Sequence, residues 1–228
     1  MVSDNLSFIY QKLPSAVKLV AVSKFHPVSR LMEAYDAGQR LFGENRPQEL
    51  AQKVPQMPAD VEWHFIGHLQ TNKLKLVLPY VSLVQSVDSF HLLEAIDKWG
   101  RDNGKVIDVL LELHLGAEET KHGFSVEDIL SIMGAGEGIC PAGVKPILEN
   151  VRIRGLMGMA TNTEDESVIE ADFARIEALF NRIREEHPEM RDTFTELSIG
   201  MSGDWHIAVR HGATMVRIGT EIFGEREY

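Results

Sequence analysis

The apolar positions of this chain fall in short blocks that alternate between two spacings. Residues 6–13 follow helical spacing and stop at Pro14. Leu19-Val20-Ala21-Val22 is a continuous run of small and branched apolar residues that meets Ser23-Lys24 and closes at Pro27. Such a run reads as a buried strand ending at a charged residue. Residues 28–37 are helical again, with Leu31, Ala34 and Tyr35 on one side and Gly38 as the stop. The pattern then predicts a strand over 41–45, a helix over 47–54, a strand over 61–66, a helix over 71–78 and a strand over 81–87. Asp88-Ser89 caps a helix running to about Trp99, and Gly104 ends that unit.

The second half repeats the rhythm. Residues 106–115 are strand-like, and Ser125 with Asp128 three residues on starts a helix in the capping-box manner. Residues 133–146 are rich in glycine and proline and read as loop. Strands follow over 151–159, 194–198 and 214–218, separated by a long helix over 166–186 and a short one over 204–210. Eight strands alternating with helices predict an α/β fold, a single (β/α)8 TIM-type barrel with a short N-terminal helix. No linker, repeat or composition break divides residues 1–228, which predicts one domain. A doubly wound open sheet is the alternative; the strand count and the lack of an early phosphate loop favour the barrel.

Composition narrows the class. An apolar fraction of 44% supports a sizeable core. The net charge of −11, from 34 acidic and 23 basic residues, argues against nonspecific binding to nucleic acid or anionic membrane. Cys140 is the one cysteine, so no internal disulfide forms, and that suits a reducing cytosol. Met1-Val2-Ser3-Asp4-Asn5 lacks the basic-then-apolar order of a signal peptide, and no apolar run reaches a membrane span. The expectation is a soluble cytoplasmic protein with neither nucleic acid nor membrane as partner.

Active sites of such barrels lie at the C-terminal ends of the strands. Read in order, those ends offer Lys24, Asn45, His64 and Gly67, Ser86, His114, Met157, residues 198–202 and residues 217–220. The loops after the seventh and eighth strands commonly bind phosphate in this fold. Here they are Gly200-Met201-Ser202-Gly203-Asp204 and Arg217-Ile218-Gly219-Thr220. Ser202 and Gly203 start a helix, where free N–H groups favour an anion, and Gly219 lets backbone approach beside a threonine hydroxyl. Two ordinary turns with an N-capping serine would look the same. A lysine is a nucleophile only when neutral, and partial burial lowers its free pKa of about 10.4. Together these features suggest a phosphorylated carbonyl compound held as a Schiff base, either a phosphorylated sugar or pyridoxal 5′-phosphate (PLP).

A resemblance runs along nearly the whole chain. Ala21-Val22-Ser23-Lys24, Phe42-Gly43-Glu44-Asn45, the stretch from Trp63-His64-Phe65-Ile66-Gly67-His68 to Lys73, Gly155-Leu156-Met157, Ser198-Ile199-Gly200-Met201-Ser202-Gly203-Asp204 and Val216-Arg217-Ile218-Gly219-Thr220-Glu221-Ile222-Phe223-Gly224 stand in one order. In this the sequence resembles the pyridoxal phosphate homeostasis proteins, small relatives of the barrel domain of alanine racemase. The resemblance implies that Lys24 carries PLP as a Schiff base, and that Ser202, Gly203, Gly219 and Thr220 hold the phosphate. It implies Arg217 at the pyridine nitrogen, Asn45 along the ring's polar edge and Met201 beside the ring. It further implies a carrier without robust turnover, monomeric, with PLP-dependent apoenzymes as recipients and no catalytic residues. Arg46-Pro47, Gly158-Met159 and the loop over 133–146 depart from the family's usual pattern.

Other motifs have plainer readings. His64 and His68 are four apart, but they flank a strand and a turn rather than one helix face, which argues against zinc; His64 reads as a polar strand-end residue near the pocket. Gly134-Ala135-Gly136-Glu137-Gly138 follows no strand and reads as loop. Lys121, Lys73 and Lys75 read as solvated lysines, and Met157, Met159 and Met201 as core filler. Three functions stay open: a PLP carrier, an amino-acid racemase, and a cofactor-free Schiff-base aldolase. A racemase needs a second base, usually a tyrosine. Tyr10, Tyr35, Tyr80 and Tyr228 all lie away from the strand ends.

Overall fold

The computed structural model describes residues 1–116, 122–134 and 148–225. Helix α1 (Val2–Lys12) leads into β1 (Lys18–Val22), α2 (Val28–Asp36), β2 (Leu41–Glu44) and α3 (Pro47–Lys53). Then come β3 (Glu62–Phe65), α4 (Leu74–Val77), β4 (Leu83–Val87), α5 (Phe90–Asn103), β5 (Ile107–Leu113) and α6 (Val126–Met133). The chain ends with β6 (Val151–Gly158), α7 (Glu166–Glu186), β7 (Glu196–Ser198), α8 (Trp205–Arg210), β8 (Met215–Ile218) and α9 (Thr220–Phe223). The eight strands are all parallel, pair in sequence order and close through β1 and β8, where Val20 lies beside Arg217 and Ala21 beside Ile218. The predicted barrel is the observed one.

Closure explains why the strands read as near-continuous apolar runs. A parallel barrel buries both faces of every strand. Leu19 and Ala21 point outward into the large core between strands and helices, as do Val216 and Ile218. Val20, Leu83, Leu110, Met157 and Met215 point inward and form a separate cluster in the lumen. Arg217, two residues after Met215, therefore shares the inward face.

The differences from the predicted elements are local. Helix α1 starts at Val2 because Val2, Leu6 and Ile9 form one buried stripe with spacings of four and three. Residues 71–78 begin as a turn of 3-10 helix (Thr71–Lys73) before the four residues of α4. Helix α9 was not legible, being a single turn behind Gly219. Ser125 and Asp128 form the expected capping box, but Met133 ends α6 rather than opening the loop. Lys121, Cys140, Tyr228 and nearly all of the glycine-rich loop lie outside the described residues.

One glycine is demanded by the barrel itself. Gly155 of β6 lies opposite Glu196 of β7 with φ +154, next to an irregularity in the β5–β6 register. A methyl group there would stand 1.7 Å from the Glu196 carbonyl oxygen. Gly155→Ala is expected to cost about 3 kcal/mol or more by forcing two strands apart. Urea unfolding followed by circular dichroism measures it; an unchanged midpoint would mean that β6 and β7 do not meet in this register.

Candidate functional site

A cavity of about 260 Å³ opens at the C-terminal end of the barrel between the loops after β1, β2, β7 and β8. Lys24, Asn45, Met201, Ser202, Gly203, Arg217, Gly219 and Thr220 all line it, joined by Val22, Ile66 and Met159. The structure thus brings the eight sequence-derived site residues to one place. Met159 reads as core filler in the sequence but forms part of this wall.

Lys24 stands in the turn just beyond β1, and that turn is gripped from behind. The Lys53 ammonium is almost fully buried and donates to the Ser23 carbonyl at 2.9 Å, to Glu44 at 2.6 Å and to Glu49 at 2.9 Å. The Ser23 hydroxyl donates to the same Glu44 oxygen at 2.7 Å, and the Phe25 N–H donates to Glu49 at 2.9 Å. The residues on both sides of Lys24 are therefore fixed by one buried charge cluster. Phe25 has φ +68, a left-handed conformation unusual for a bulky residue. Burial pushes the Glu44 carboxyl up despite Lys53. Burial also pushes Glu49 up, but the Phe25 N–H and Lys53 outweigh it and hold Glu49 below the usual range.

Arg217 is buried and reaches the cavity from the lumen. Its guanidinium donates to the Ser198 carbonyl and hydroxyl, both at 2.7 Å, and to the Gly158 carbonyl at 2.9 Å. Burial lowers its pKa to about 10, against the pull of Glu112 and Asp204, so it remains a cation at neutral pH. The Ser198 hydroxyl donates in turn to Gln85 Oε1 at 2.6 Å, and Gln85 Nε2 lies 2.8 Å from His64 Nδ1. His64 Nε2 stands 3.4 Å from Glu62. With the His64 proton on Nε2, every group passes its hydrogen bond in one direction, from Arg217 down the barrel to Glu62.

That chain corrects one expectation. His64 is not near the site cavity; it lines a different cavity at the N-terminal end of the barrel with Lys18, Glu62, Ser82 and Glu196. Ser86 lies inside β4 and donates to the Gly67 carbonyl at 2.5 Å.

The two glycine-containing loops are tied together, because the Gly219 N–H reaches the Ser202 hydroxyl at 3.4 Å. The Met201 N–H donates to Asp204 at 2.6 Å, which shapes the first loop. Burial pushes Asp204 up, while that N–H and Arg217 pull the other way. Helix α8 behind this loop has only six residues, so backbone N–H groups, more than a helix dipole, are what the loop offers an anion. Asn45 Oδ1 is buried and has no hydrogen-bond partner among the described residues. A Cβ on Gly203 would meet no atom within 4 Å, so this loop leaves open space at the cavity. The residues that sequence reasoning missed are Glu44, Lys53, Gln85 and Glu112. Gln85 and Glu112 had only their polarity inside otherwise apolar strands as a signal, Glu44 stood unremarked in a family motif, and Lys53 had no signal in its polar helix.

The family model for the alanine racemase N-terminal domain matches residues 1–227. The pyridoxal phosphate homeostasis protein of Haemophilus influenzae is 34% identical over 241 residues, which cover 100% of this chain and 97% of the relative. That of Aquifex aeolicus is 36% identical over 215 residues, covering 94% and 89%. The structure of PipY of Synechococcus elongatus PCC7942 with PLP bound has a TM-score of 0.84 at 34% identity and covers 98% of this chain and 100% of that one. Alanine racemase of Clostridium difficile shares the fold, with a TM-score of 0.74 at 12% identity, and this chain covers 57% of it.

Glu112 of β5 faces the lumen near both Arg217 and Asp88. Burial and the Asp88 charge raise its pKa to about 7, and Arg217 only partly offsets them. The folded protein thus keeps this proton up to about pH 7, whereas the ordinary value is 4.5. The stability linked to the proton is full below the ordinary value and is lost as pH rises through about 7. Glu112→Gln is expected to remove that loss. From pH 5 to pH 8 wild type should lose roughly 2–3 kcal/mol more unfolding free energy than the variant. Parallel urea titrations at the two pH values decide it; equal slopes for both proteins would show Glu112 to be ionised throughout.

Proposed function

We propose that this chain, which belongs to the alanine racemase N-terminal domain family and within it to the pyridoxal phosphate homeostasis proteins, binds PLP and serves its intracellular homeostasis without robust turnover. The observation that carries the reading is the convergence of Lys24, Asn45, Arg217 and the two tied loops on one cavity. The residues fit the group. A phosphate would accept from backbone N–H groups of the Ser202-Gly203 and Gly219-Thr220 loops and from the Ser202 and Thr220 hydroxyls. The partnerless Asn45 Oδ1 asks for a donor from a ligand, and the open space at Gly203 leaves room for one. Lys24 would hold the aldehyde carbon, and Met201 would lie beside the ring.

Bound PLP would supply an electron-withdrawing ring for chemistry at an amine. Arg217 limits that chemistry. A guanidinium has donors and no acceptor, so it can only donate to a ring nitrogen, which then stays unprotonated and withdraws electrons poorly. Racemisation also needs a second base. Among the described residues no tyrosine lines the cavity: Tyr10 donates to Gln39, Tyr35 donates to Asp60, and Tyr80 is exposed. These features support a carrier over a racemase. An aldolase without cofactor is the weaker reading, since relatives of full length are named for PLP homeostasis. No helix among the described residues is long and apolar enough to cross a membrane. The same proposal places the protein in the cytoplasm as a monomer, with PLP-dependent apoenzymes as recipients. A closed barrel supports the monomer because it leaves no sheet edge to pair.

Purified protein is expected to show a visible imine absorbance and, after borohydride, a mass increase fixed on Lys24. Lys24→Ala should lose both, and bound PLP persisting unchanged in that variant would sink the assignment. Ser202→Ala should weaken retention about tenfold or more, the loss of one hydrogen bond to a charged group, while the thermal midpoint stays near wild type. Unchanged affinity would remove Ser202 from the pocket. Carrier and racemase separate on chiral analysis of L-alanine incubated with the holoprotein. Less than one turnover is expected, and sustained production of the D-enantiomer would reject the carrier.

A further inference from the structure

Across the barrel mouth from Lys24, three loops bring together His68, Asp88 and His122. One ligand atom from each lies within 4.8 Å of the other two. His68 Nδ1 is 2.9 Å and His122 Nδ1 4.0 Å from the same Asp88 oxygen. The two imidazoles are stacked, with ring centres 4.5 Å apart and planes inclined at 20°. From this we infer that the loops after β3, β4 and β5 form a binding site for a zinc-class divalent cation, with two imidazole nitrogens and one carboxylate as ligands.

The donor set is that of a transition metal rather than an alkaline-earth ion, because imidazole suits zinc and its neighbours while magnesium and calcium want oxygen. Four-coordinate zinc, with bonds of about 2.0–2.2 Å, keeps its ligand atoms about 3.3–3.5 Å apart. The present spacings of 2.9 and 4.0 Å to Asp88 bracket that value, and both imidazoles are exposed, so they can turn out of the stack to aim their ring nitrogens at one ion. Three protein ligands leave one position for water or an incoming ligand, the arrangement of an open zinc site.

The backbone beside each ligand is held by a packed neighbour. His68 follows Gly67, whose α-carbon packs against the Asn45 backbone so closely that a Cβ would lie 2.3 Å from the Asn45 carbonyl oxygen. Asp88 directly precedes Ser89, the N-cap of α5, and its side chain is 6% exposed. His122 precedes Gly123 and Phe124. Phe124 bridges to β5, donating to the Glu112 carbonyl at 2.8 Å and accepting from the His114 N–H at 3.0 Å. Gly123 has φ +131, and a Cβ there would meet His114 N at 2.8 Å, so the approach to β5 requires glycine. Phe90 and Phe124 meet edge to face beneath the cluster at 5.4 Å. The His64–His68 spacing gave no hint of this, since His64 points to the other end of the barrel.

A plain hydrogen bond between His68 and Asp88 with a stacked neighbour would give the same arrangement, and metal binding separates the two. Untagged holoprotein, stripped of metal with a chelator and dialysed, is titrated with zinc chloride by calorimetry. Cobalt(II) follows by visible absorption. One zinc per chain is expected, with intense four-coordinate cobalt bands that zinc abolishes. His122→Ala, a change at a side chain 66% exposed, should weaken zinc binding at least tenfold and leave folding and the imine absorbance intact. Asp88→Asn and the double variant His68→Ala/His122→Ala should abolish the cobalt bands. Absence of zinc binding in wild type, or binding that survives the double variant, would overturn the site. The outcome is independent of the PLP reading, because none of the three residues lines the Lys24 cavity.

Discussion

The candidate site depends on a buried ammonium. Lys53 gives three hydrogen bonds, to the Ser23 carbonyl, to buried Glu44 and to half-buried Glu49. A buried ion pair is a poor source of net stability, because both charges lose their water. What it supplies here is position. Ser23 and Phe25 are both held by this cluster, so Lys24 between them has its backbone set on either side. The left-handed Phe25, a strain of about 1–3 kcal/mol, persists because Glu49 accepts its N–H and Arg46 stacks on its ring at 4.2 Å. The Schiff-base role proposed for Lys24 would need this kind of support, since a misplacement of about 1 Å slows reaction between positioned groups.

Arg217 is held on the same principle by neutral groups. Ser198 and Gly158 orient it, and Gln85 and His64 continue the chain through the lumen to Glu62. Each member up to His64 is buried, with a donor or acceptor that would be costly if left unmet. The lumen therefore holds an apolar cluster drawn from β1, β4, β5, β6 and β8, with a polar line running past it. Glu112 is the exception, a carboxyl that burial and Asp88 keep protonated to about neutral pH. Proton content inside the barrel thus changes near physiological pH at a group beside the arginine.

The family separates fold from function in a physical way. Alanine racemases share the barrel at 12–15% identity, but this chain covers only 57–60% of their length. Relatives at 34–36% identity match almost end to end and are named for PLP homeostasis. Among the described residues, no tyrosine lines the cavity that holds Lys24.

Element type and order were legible in the sequence because they rest on local signals: apolar period, caps, prolines and glycines. Lys24, Ser202, Gly203, Gly219 and Thr220 were legible because they stand at strand ends, where this fold keeps its chemistry. Asn45, Met201 and Arg217 took their roles from family motifs. Other facts only the tertiary structure could decide. Gln85 and Ser198 are 113 residues apart yet share a hydrogen bond, and Lys53 reaches back 30 residues to Ser23. His64 was misplaced because strand parity says that a side chain points inward, not at what height. Height depends on the stagger of eight strands around a closed barrel, and no single segment carries that information. For the same reason His68, Asp88 and His122, each unremarkable in its own loop, become a cluster only when the barrel closes.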